Sequence, residues 1–552
     1  MKLLIVGGVA GGASAAARAR RLSEDAEIVL FERGPDVSFA NCGLPYYVSG
    51  EIAERKKLLV TTPEMLRNRF KLDVRTRSSV ETIDRAAKKV HVRDLATGRE
   101  YEESYDTLIL APGAAPFRPP IPGIDLPGIF TLRNLQDIDL IKGQVDHGVK
   151  QAVLLGGGFI NLELAENLVR RGVATTVVEK NGQILTPFDR EMTTPIVEHL
   201  ATKGVTLLLS QTAESIEKTA DGLVVYLKSG ERLPAQLVVV GVGVRPENKL
   251  AVGAGLAVGP RGGIQVNEYL QTSDPSIFAV GDAVEVTDFV ILEQTQVPLA
   301  GPANRQGRIA ADNVFDRKAK YRGTQGTAIL GFFDRTVAMT GASEKSLSRA
   351  KRPYRKVYIH PMHHAGYYPG AEQMSLKVIF HPETGKLLGA QGVGGAGVDK
   401  RIDVLAVAIQ AGMTVFDLEE MELAYAPQYG SAKDPINMAG FVASGLVRGD
   451  HPQTDVDSIL ATEPGQRPFL VDVRTAQEFS LGNIPGAVNI PVDELRSRLG
   501  ELPRDRPIAA YCQVGQRGYI ATRILLQAGF TVSNVGGGYK TYRLFFPKDA
   551  KQ

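Results

Sequence analysis

The chain has only two cysteines in 552 residues, and the first is the centre of the stretch SFANCGLPYY, residues 38–47. Cys42 is followed by Gly43, Leu44 and Pro45, and proline is favoured in the first turn of a helix. The positive end of a helix dipole favours the thiolate, which is the nucleophilic form of cysteine. The pattern therefore predicts an activated thiol at Cys42. The alternative for a single cysteine is a small, buried apolar residue.

Composition limits the classes of protein to which the chain can belong. It is 43% apolar and 23% charged, with a net charge of +3, which is ordinary for a globular protein and does not suggest nucleic-acid binding. A length of 552 residues allows three or four domains. Two cysteines cannot form a disulfide framework, so we expect a reducing, cytoplasmic location.

The N-terminus can be interpreted as a signal peptide or as a first β-strand. Lys2 precedes an apolar run, as in a signal peptide, but glycines at positions 7, 8, 11 and 12 interrupt that run. We therefore predict a strand over residues 2–6. No stretch approaches the 18 or so apolar residues of a membrane span, so none is expected.

The first strand opens a βαβ pattern that is typical of dinucleotide binding. The sequence GGVAGG follows it, then a predicted helix over residues 13–22 and a strand over 27–31 that ends at Glu32. Glycines let the backbone approach a pyrophosphate at the helix N-terminus, and the acid binds a ribose hydroxyl. Val9 replaces the middle glycine of the strict motif.

A second pattern of this kind begins with a predicted strand over residues 152–155 and ends with a strand over 175–178 before Glu179. Gly156 and Gly158 fit the motif, but Asn161 replaces the third glycine, and its bulk is expected to alter the helix packing or the pyrophosphate position. Glu179 would repel a 2′-phosphate, so NADH is the expected nucleotide, while Lys180 leaves NADPH possible. Two such units usually bind one flavin and one nicotinamide.

Three further motifs identify a family resemblance. They are ILAPGAAP (109–116), VVVGVGVRPE (238–247) and IFAVGDAVE (277–285), and their order resembles the pyridine-nucleotide disulfide oxidoreductase family. The resemblance implies an α/β fold with two Rossmann-like domains, in which the FAD-binding domain is split around the NAD-binding domain. The implied domains are FAD-binding at 1–112 and 246–320, NAD(P)H-binding at 113–245, an α+β dimerisation domain at 321–447 and a linker at 448–457.

The last segment, residues 458–552, resembles an α/β rhodanese domain. It carries VDVR (471–474), NIPGAVNIP (483–491), CQVGQR (512–517) and VGGGY (535–539), with Asn483 where such domains often have histidine. Its Cys-x4-Arg loop is suited to sulfur, whereas related phosphatases use one residue more. The resemblance implies that Cys512 carries a persulfide, which the loop N–H groups and Arg517 stabilise.

The surroundings of Cys42 favour one branch of the flavoprotein family. Larger relatives have a second cysteine where this chain has Tyr47, so oxidised Cys42 must be a sulfenic acid, a mixed disulfide or a persulfide. The stretch resembles the coenzyme A-disulfide reductase branch. The peroxidase and oxidase branch has histidine at the position of Ala10. The resemblance implies a homodimer in which the partner subunit helps to complete the active site.

The resemblance also implies binding residues for FAD, for NAD(P)H and for coenzyme A. The FAD residues are Gly7, Val9, Ala10, Gly11, Gly12, Glu32, Arg33, Asn41, Val80, Ala111, Pro112, Gly113, Arg133, Gly281, Asp282, Pro298, Leu299 and Ala300. The NAD(P)H residues are Gly156, Gly158, Phe159, Ile160, Glu163, Glu179, Lys180 and Gly243. The coenzyme A residues are Ser14, Arg18, Arg21, Ser38, Asn41, Lys71, Asn304, Arg308, Tyr425 and Lys433, with Lys433 coming from the partner subunit.

Residue spacing supports part of the coenzyme A assignment. Ser14, Arg18 and Arg21 follow the spacing i, i+4 and i+7, so they share one helix face that could bind phosphates. The alternative is a solvated basic helix face. Tyr367 and Tyr425 match tyrosines that reach across the dimer in this branch, where a phenol could protonate a departing thiolate. Packing in a dimer core is the alternative for Tyr367.

Three histidines, at positions 360, 363 and 364, could suggest a metal site. No metal is expected, because neither cysteine nor a regular pattern of carboxylates lies nearby in the sequence.

These features together predict NAD(P)H-dependent, flavin-dependent reduction of coenzyme A persulfide or polysulfide, with release of sulfide, and of coenzyme A disulfide. Cys42 would form a mixed disulfide with coenzyme A, and Cys512 would deliver sulfur. The expected partners are small thiols, persulfides and polysulfides. One alternative is an NADH oxidase or peroxidase that uses a Cys42 sulfenic acid, and another is a sulfurtransferase regulated by the flavoprotein part.

Overall fold

The computed structural model describes residues 1–547. The chain divides into two compact units. The N-terminal unit comprises Met1–Ile184 and Lys203–Thr324, and the C-terminal unit comprises Leu185–Thr202 and the chain from Gln325 onward. No helix among the described residues is long and apolar enough to cross a membrane.

Short strands dominate the N-terminal unit. They are β1 (Lys2–Val6), β2 (Glu27–Phe31), β3 (Asp73–Arg75), β4 (Ser78–Asp84), β5 (Lys89–Asp94), β6 (Glu100–Ser104), β7 (Thr107–Leu110), β8 (Ala114–Pro116), β9 (Ile129–Phe130), β10 (Gln151–Leu155), β11 (Ala174–Glu179), β12 (Val205–Leu209), β13 (Ala213–Thr219), β14 (Gly222–Leu227), β15 (Arg232–Ala235), β16 (Leu237–Val240), β17 (Val244–Pro246), β18 (Ile264–Gln265), β19 (Ile277–Ala279), β20 (Val284–Asp288) and β21 (Glu293–Thr295).

The C-terminal unit continues the series of strands, and helices occur in both units. The strands are β22 (Ala328–Phe332), β23 (Arg335–Gly341), β24 (Arg355–Ile359), β25 (Ser375–Phe380), β26 (Leu387–Gly394), β27 (Gln453–Thr454), β28 (Phe469–Asp472), β29 (Val488–Asn489), β30 (Ile508–Tyr511) and β31 (Val532–Val535). The helices are α1 (Ala10–Leu22), α2 (Leu44–Ser49), α3 (Pro63–Phe70), α4 (Leu135–Asp146), α5 (Phe159–Arg170), α6 (Arg190–Thr202), α7 (Lys249–Gly253), α8 (Ala300–Val314), α9 (Glu344–Arg349), α10 (Val398–Gln410), α11 (Val415–Glu420), α12 (Pro435–Arg448), α13 (Val456–Ala461), α14 (Ala476–Ser480), α15 (Gln516–Gln527) and α16 (Gly538–Phe545).

The first sheet is five-stranded and parallel, in the order β19-β7-β1-β2-β3. Its central strands are apolar on both faces, as expected for a parallel sheet covered on both sides. The predicted bounds of β1 and β2 are confirmed, while α1 begins three residues earlier than predicted, at Ala10. Val6 pairs with Leu110, and Leu110 with Ala279, so these three strands end at one edge.

The second sheet repeats this design in the order β12-β11-β10-β16-β9. Its strands are also parallel, and Val153, Leu155, Val178 and Val238 are buried in its core. Strands β10 and β11 are one or two residues longer than predicted. Two parallel dinucleotide-type sheets are therefore present, as the sequence predicts.

Helices α1 and α8 pack closely against each other in the N-terminal unit. A Cβ atom at Gly307 would lie 2.1 Å from the carbonyl oxygen of Gly11, so the crossing requires glycine on α8. This contact places the N-terminal ends of both helices near the carboxyl edge of the first sheet.

The C-terminal unit contains two sheets. An antiparallel sheet has the order β22-β23-β26-β25-β24, and α10 packs against its strands β23 and β26. A parallel sheet has the order β27-β31-β30-β28-β29, with α15 against β30 and β31. The two sheets correspond to the predicted dimerisation and rhodanese domains, and the tail at 548–552 lies outside the described residues.

The predicted linker at 448–457 has a different structure from the one expected. Gln453 and Thr454 form the edge strand β27, which pairs with β31, and His451 is buried. The segment is therefore part of the last sheet's fold rather than a free connection. Its polar composition and its single proline concealed this, because edge strands tolerate such residues.

A buried ionic cluster joins α6, α9 and the antiparallel sheet. The Lys377 ammonium, on β25, lies 2.8 Å from Asp189 and 2.5 Å from Glu191, and it also forms an ion pair with Glu344. These three carboxylates are close enough to ligate a cation, and the ammonium lies among them. Lys377 is fully buried, so the carboxylates provide the compensation that its charge requires.

Candidate active site

Cys42 lies in a short 3-10 helix, Asn41–Gly43, that leads directly into α2. Pro45 occupies the first turn of α2, as predicted, and the cysteine is exposed. Partial burial nevertheless raises the pKa of its thiol, and the charges of Glu163 and Asp282 raise it further, while its backbone N–H lowers it. The predicted lowering of the thiol pKa by the helix dipole is therefore wrong, because burial and then the two carboxylates outweigh it.

Glu163, on α5, is held by a residue that the sequence analysis missed. The Tyr46 hydroxyl donates to Glu163 Oε1 at 3.2 Å. Burial raises the pKa of Glu163 to about 7, against the lowering effect of this hydrogen bond. Tyr46 lies one helical turn after Cys42, and that spacing was the available signal.

The glycine turn after β1 has the shape of a pyrophosphate cradle. Gly7 has φ +100°, and a Cβ atom there would lie 2.1 Å from the Ala111 carbonyl oxygen, while one at Gly12 would lie 1.8 Å from that of Gly7. No side chain of the described residues caps the N-terminus of α1. Its first N–H groups are thus available to an anion, and the site fits a dinucleotide.

Glu32 closes this turn at the end of β2. Its two carboxylate oxygens accept from the backbone N–H of Gly8 at 2.8 Å and of Gly34 at 2.7 Å. The carboxylate therefore orders the loop, and an acceptor with four lone-pair sites retains capacity for a ribose hydroxyl.

Two arginines predicted for FAD share one carboxylate that the sequence analysis did not identify. Glu247 forms ion pairs with Arg33 at 2.8 Å and with Arg133 at 2.7 Å. The Asn41 side-chain amide donates to the Arg133 carbonyl oxygen at 3.2 Å, which connects this cluster to the Cys42 segment. Glu247 stands in the VVVGVGVRPE motif, so its position there was the available signal.

The remaining predicted FAD residues lie on elements around the same sheet edge. Ala111, Pro112 and Gly113 follow β7, and Gly281 and Asp282 form a 3-10 helix after β19. Burial raises the pKa of Asp282, against the favourable charge of Arg133. Val9 and Ala10 begin α1, Val80 is buried on β4, and Pro298 and Leu299 lead into Ala300, the first residue of α8.

The second glycine turn reproduces the first. Gly156 has φ +104°, Gly158 precedes α5 without a side-chain cap, and Glu179 Oε2 accepts from the Gly157 N–H at 2.7 Å. Phe159 and Ile160 begin α5, and Ile160 is exposed, as are Lys180 and Gly243. This turn too leaves the helix N–H groups available to an anion.

Asn161 is accommodated rather than disruptive. Its side-chain amide donates to the carbonyl oxygens of Leu155 and Gly156 at 2.8 and 2.9 Å, so it bridges strand and helix. The space for it comes from Gly241, where a Cβ atom would lie 2.5 Å from Asn161 Oδ1. Asn161 therefore links α5 to the end of β10 through its side chain.

The residues predicted to bind coenzyme A on α1 face α8. Ser14 donates to Asn304, and Arg18 places two N–H groups on Asp312, at 2.9 and 2.6 Å. Arg18 is thus half-buried and compensated, which weakens the predicted three-residue phosphate stripe, while Arg21 is exposed. Asp312 was not considered from the sequence, although it lies on the helix that carries Asn304.

Other predicted coenzyme A residues are exposed or strained. Lys71 and Arg308 are exposed, and Lys71 lies 3.3 Å from Glu24. Ser38 has φ +47°, a left-handed conformation that is uncommon outside glycine and often marks a functional segment.

In the C-terminal unit, the predicted tyrosines lie together. The Tyr367 and Tyr425 hydroxyls are 2.9 Å apart, and both side chains are exposed, at 76% and 48%. Lys433, which follows in the same loop region as Tyr425, is exposed as well. The structure thus brings Tyr367 and Tyr425 into one surface site.

Cys512 lies at the base of a loop between β30 and α15, and it is buried. Its sulfur accepts from the Gly515 N–H at 3.2 Å, and Gly515 has φ +101° to turn that N–H inward. Arg517 interacts electrostatically with Cys512. The loop can therefore stabilise negative charge on sulfur.

Arg517 is oriented by a partner that the sequence analysis missed. Glu478 binds it in a bidentate ion pair, at 2.7 and 2.6 Å, and this lowers the pKa of Glu478 to about 2. Glu478 also forms a capping box with Thr475 at the N-terminus of α14. That Thr-x-x-Glu spacing was the sequence signal.

The three histidines considered as metal ligands have other contacts. His360 is buried, with Nδ1 2.9 Å from the Ser375 hydroxyl and Nε2 2.8 Å from the Thr541 hydroxyl. Burial lowers its pKa to about 3, so the ring is neutral. His363 and His364 contact the backbone oxygens of Glu372 and Ala365, respectively.

Comparison with protein families accounts for most of the chain. Residues 1–307 match the model described as pyridine nucleotide-disulphide oxidoreductase, and residues 327–434 match that family's dimerisation domain. Residues 453–544 match the rhodanese-like domain.

Individual relatives give the same result. The chain is 38% identical over 447 residues to a coenzyme A disulfide reductase from Staphylococcus haemolyticus, covering 81% of this chain and 100% of that one. A reduced CoADR-RHD from Bacillus anthracis is 48% identical with a TM-score of 0.96, covering 99% and 98% of the two chains. An NAD-dependent persulfide reductase from A. fulgidus is 38% identical with a TM-score of 0.91, covering 98% and 100%.

These findings confirm the predicted fold class and the resemblance to the coenzyme A-disulfide reductase branch with a rhodanese domain. The chain belongs to the pyridine nucleotide-disulphide oxidoreductase family, and it carries that family's dimerisation domain followed by a rhodanese-like domain.

Proposed function

We propose that this protein uses NAD(P)H and FAD to reduce coenzyme A persulfide or polysulfide, releasing sulfide, and coenzyme A disulfide. The observation that carries the proposal is the separation of two single cysteines into two different kinds of site. Cys42 is exposed at the start of α2, whereas Cys512 is buried and its sulfur accepts from the Gly515 N–H. A reductase and a sulfur carrier in one chain fit the reduction of sulfane sulfur.

The first glycine turn and its surroundings would hold FAD, with Glu32 at the ribose and the α1 N-terminus at the pyrophosphate. FAD, when bound, supplies two-electron transfer between the nicotinamide and Cys42. The second turn would hold the nicotinamide nucleotide, with Glu179 favouring NADH over NADPH by repelling a 2′-phosphate. Phe159 begins α5 beside this turn and would gate access to the nicotinamide.

Cys42 acts on the substrate as a thiolate. It attacks the sulfur of coenzyme A persulfide that is bonded to carbon, forms Cys42–S–S–CoA and expels hydrosulfide. With coenzyme A disulfide, the same attack forms the same mixed disulfide and expels one coenzyme A thiolate. Two electrons and one proton then regenerate the Cys42 thiolate and release coenzyme A thiol. Tyr47 stands where a second cysteine would be, so the second sulfur of each disulfide comes from the substrate.

Cys512 supplies the persulfide. Its thiolate attacks the outer sulfur of a sulfane donor, becomes Cys512–S–S⁻, and releases the donor's remaining part. Attack by the coenzyme A thiolate on the outer sulfur then forms coenzyme A persulfide and restores Cys512. The Gly515 N–H and Arg517 stabilise the anionic sulfur during both transfers.

The dimerisation domain supports a homodimer in which Tyr367, Tyr425 and Lys433 of one subunit complete the coenzyme A site of the other. Both tyrosines and Lys433 are exposed in the chain, as such a role requires. The other coenzyme A contacts in this proposal are Ser14, Arg18, Arg21, Ser38, Asn41, Lys71, Asn304 and Arg308.

Replacing each cysteine by serine tests this function. We expect Cys42→Ser to abolish NADH-dependent sulfide release from coenzyme A persulfide, and Cys512→Ser to retain it while losing use of a sulfane donor with free coenzyme A. Sulfide release by Cys42→Ser would overturn the proposal. Oxygen consumption with NADH alone, at a rate equal to that with coenzyme A persulfide, would favour the oxidase alternative.

Mass analysis of the purified protein provides an independent check. A coenzyme A adduct on the peptide that contains Cys42, removed by NADH, is the expected result. An adduct on Cys512 alone would contradict the assigned roles.

A further inference from the structure

The loop that carries Cys512 is anchored at Gly515 by a side chain from the neighbouring strand. The Gly515 N–H donates to the Cys512 sulfur at 3.2 Å, and the Gly515 carbonyl oxygen accepts from the Asn534 side-chain amide at 3.0 Å. The same oxygen accepts from the Tyr519 N–H of α15 at 2.9 Å. A carbonyl oxygen has two lone pairs, so both acceptor sites of Gly515 are used and its orientation is fixed from two sides.

Asn534 lies on β31, is buried and uses both donors of its side-chain amide. One N–H binds Gly515, and the amide nitrogen lies 2.9 Å from His451 Nε2, which receives the other. Because a carbonyl oxygen only accepts, the NH2 group must face Gly515, and the amide cannot be reversed. Space for the amide oxygen comes from Gly518 on α15, where a Cβ atom would lie 2.3 Å from Asn534 Oδ1.

His451 comes from the segment that the sequence predicted to be a linker. Its ring is buried against the Tyr519 ring, with centroids 4.2 Å apart. Since Asn534 donates, Nε2 must be the unprotonated nitrogen; Nδ1 then carries the proton, and the terminal amide of Gln453, 3.3 Å away, can accept it through its oxygen. Burial and then the charge of Arg523 lower the pKa of His451 to about 4, so the ring remains a neutral acceptor at pH 7.

Backbone hydrogen bonds fix the place of His451 on both sides. The Asn534 N–H donates to the Pro452 carbonyl oxygen at 2.8 Å, which holds the segment along β31. The His451 N–H donates to the Gly445 carbonyl oxygen of α12 at 3.1 Å. The imidazole is therefore held at a fixed position beside the Asn534 amide.

We propose that Asn534 and His451 are positioning residues for Cys512: His451 holds the Asn534 amide, and that amide holds Gly515 so that its N–H is directed at the sulfur. The inference rests on the proposed function for the identity of sulfur as the group that Cys512 carries. When Cys512 is a thiolate or a persulfide, the hydrogen bond from Gly515 is charge-assisted, so its geometry affects the stability of the anion. Both residues act on Cys512 through Gly515.

The test follows sulfur uptake in the full-length protein carrying Cys42→Ser, in which Cys512 is the remaining cysteine. In this step Cys512–S⁻ attacks the outer sulfur of thiosulfate, the sulfur–sulfur bond of thiosulfate breaks, and Cys512–S–S⁻ and sulfite form. Mass spectrometry follows the gain of one sulfur atom at several thiosulfate concentrations, which separates the rate at saturation from the half-saturating concentration. Alkylation of unloaded Cys512 by iodoacetamide between pH 5.5 and 9.5 is a second readout, which needs no sulfur transfer.

Asn534→Leu removes the donor to Gly515 at similar side-chain volume. We expect sulfur uptake at saturating thiosulfate to slow by about three- to tenfold with little change in the half-saturating concentration, because the effect is on the attacking sulfur. The midpoint of alkylation should rise by about half a pH unit to one unit, because the thiolate is less stable. Gln527→Leu, at an exposed polar residue of α15, is the matched control and should change neither readout.

Two variants at position 451 separate hydrogen bonding from packing. His451→Phe keeps a ring against Tyr519 but has no acceptor, so uptake should slow by about two- to threefold. His451→Gln retains an acceptor oxygen close to the position of Nε2, and it should restore uptake and the alkylation midpoint. This pair tests the proposal even where Asn534→Leu fails to fold.

Unchanged uptake and alkylation in both Asn534→Leu and His451→Phe, with the melting temperature preserved, would overturn the inference. Equal losses in His451→Phe and His451→Gln would also overturn it, since the ring would then act by packing alone. Should the Cys42→Ser parent take up no sulfur while the alkylation midpoints shift as expected, the positioning role would stand and the proposed function of Cys512 would fail.

Discussion

The hydroxyl groups of Tyr367 and Tyr425 lie 2.9 Å apart, although the residues are 58 positions apart in the sequence. Either hydroxyl can donate to the other, so one phenolic proton is used within the pair and one remains available. The pair therefore presents one available acid at this surface.

This arrangement predicts a loss of activity from two conservative changes. Tyr425→Phe and Tyr367→Phe should each lower kcat for coenzyme A disulfide, by up to about a hundredfold, the scale of general-acid catalysis, because each removes one hydroxyl of the hydrogen-bonded pair. Steady-state kinetics of both variants, and of Tyr429→Phe as an exposed control, measure this. Full activity in both Tyr367→Phe and Tyr425→Phe would contradict a catalytic role for the pair.

A second prediction concerns the orientation of Arg517. Glu478→Gln should break the bidentate ion pair that aims the guanidinium at Cys512, and sulfur transfer from thiosulfate should fall by about tenfold. Since the pKa of Glu478 is about 2, the ion pair itself should not weaken between pH 5 and 9. Glu494→Gln, at the exposed partner of Arg498, is the control. Full sulfurtransferase activity in Glu478→Gln would show that Arg517 needs no such support.

A third prediction concerns acid stability of the C-terminal unit. His360 and His451 are buried, with pKa values lowered by burial to about 3 and about 4. The unfolded chain binds these protons near pH 6.5, so their stabilising effect is complete above that pH and declines as the pH falls. The melting temperature should thus decrease from pH 7 to pH 5.

His360→Gln should flatten this decrease, since each buried histidine contributes at most about 1.4 kcal/mol per pH unit. Calorimetry at several pH values measures the slope, and His147→Gln, at an exposed histidine, should leave it unchanged. A wild-type melting temperature that is constant across this range would refute the argument.

A fourth prediction concerns the buried cluster around Lys377. Lys377→Met removes the one ammonium among the described residues that contacts Asp189, Glu191 and Glu344 together, and Lys356 remains as a partner of Glu344 alone. Loss of one partner from a buried ion pair costs about 3–5 kcal/mol, which should lower the melting temperature strongly. Lys386→Met, at an exposed lysine of the same sheet, should change it little. Similar denaturation midpoints for both variants would show that the cluster does not stabilise the fold.

The sequence predicted the elements whose signals are local. β1 and β2 have the predicted bounds because an apolar run, a glycine turn and a terminal acid define a βαβ unit within about thirty residues. Cys42 and Cys512 were predicted to be catalytic because each lies in a short motif, SFANCGLPYY and CQVGQR respectively. Tyr367 and Tyr425 were selected only through family resemblance, and their contact with each other was not predicted.

What the sequence did not reveal depends on contacts between distant segments. Arg18 matched a phosphate-binding stripe by spacing, but its partner Asp312 comes from α8, 294 positions away. Burial of Cys42, and after it the charge of Glu163 on α5, raises the pKa of the thiol, which is opposite to the expected direction. The effect of Asn161 could not be decided from the motif, because the space made by Gly241 comes from a distant segment.

The buried bonds of His360 have a consequence for protein engineering. One nitrogen of the ring contacts Thr541 on α16, Thr194 on α6 donates to the Leu544 carbonyl oxygen, and Lys356 forms ion pairs with Asp455 and Asp457. Cutting the chain before the last sheet would leave these polar groups without partners and expose the surfaces they hold. The rhodanese region is therefore not a removable cassette: shortened versions of this protein would need a redesigned surface, and an isolated C-terminal fragment would need one as well.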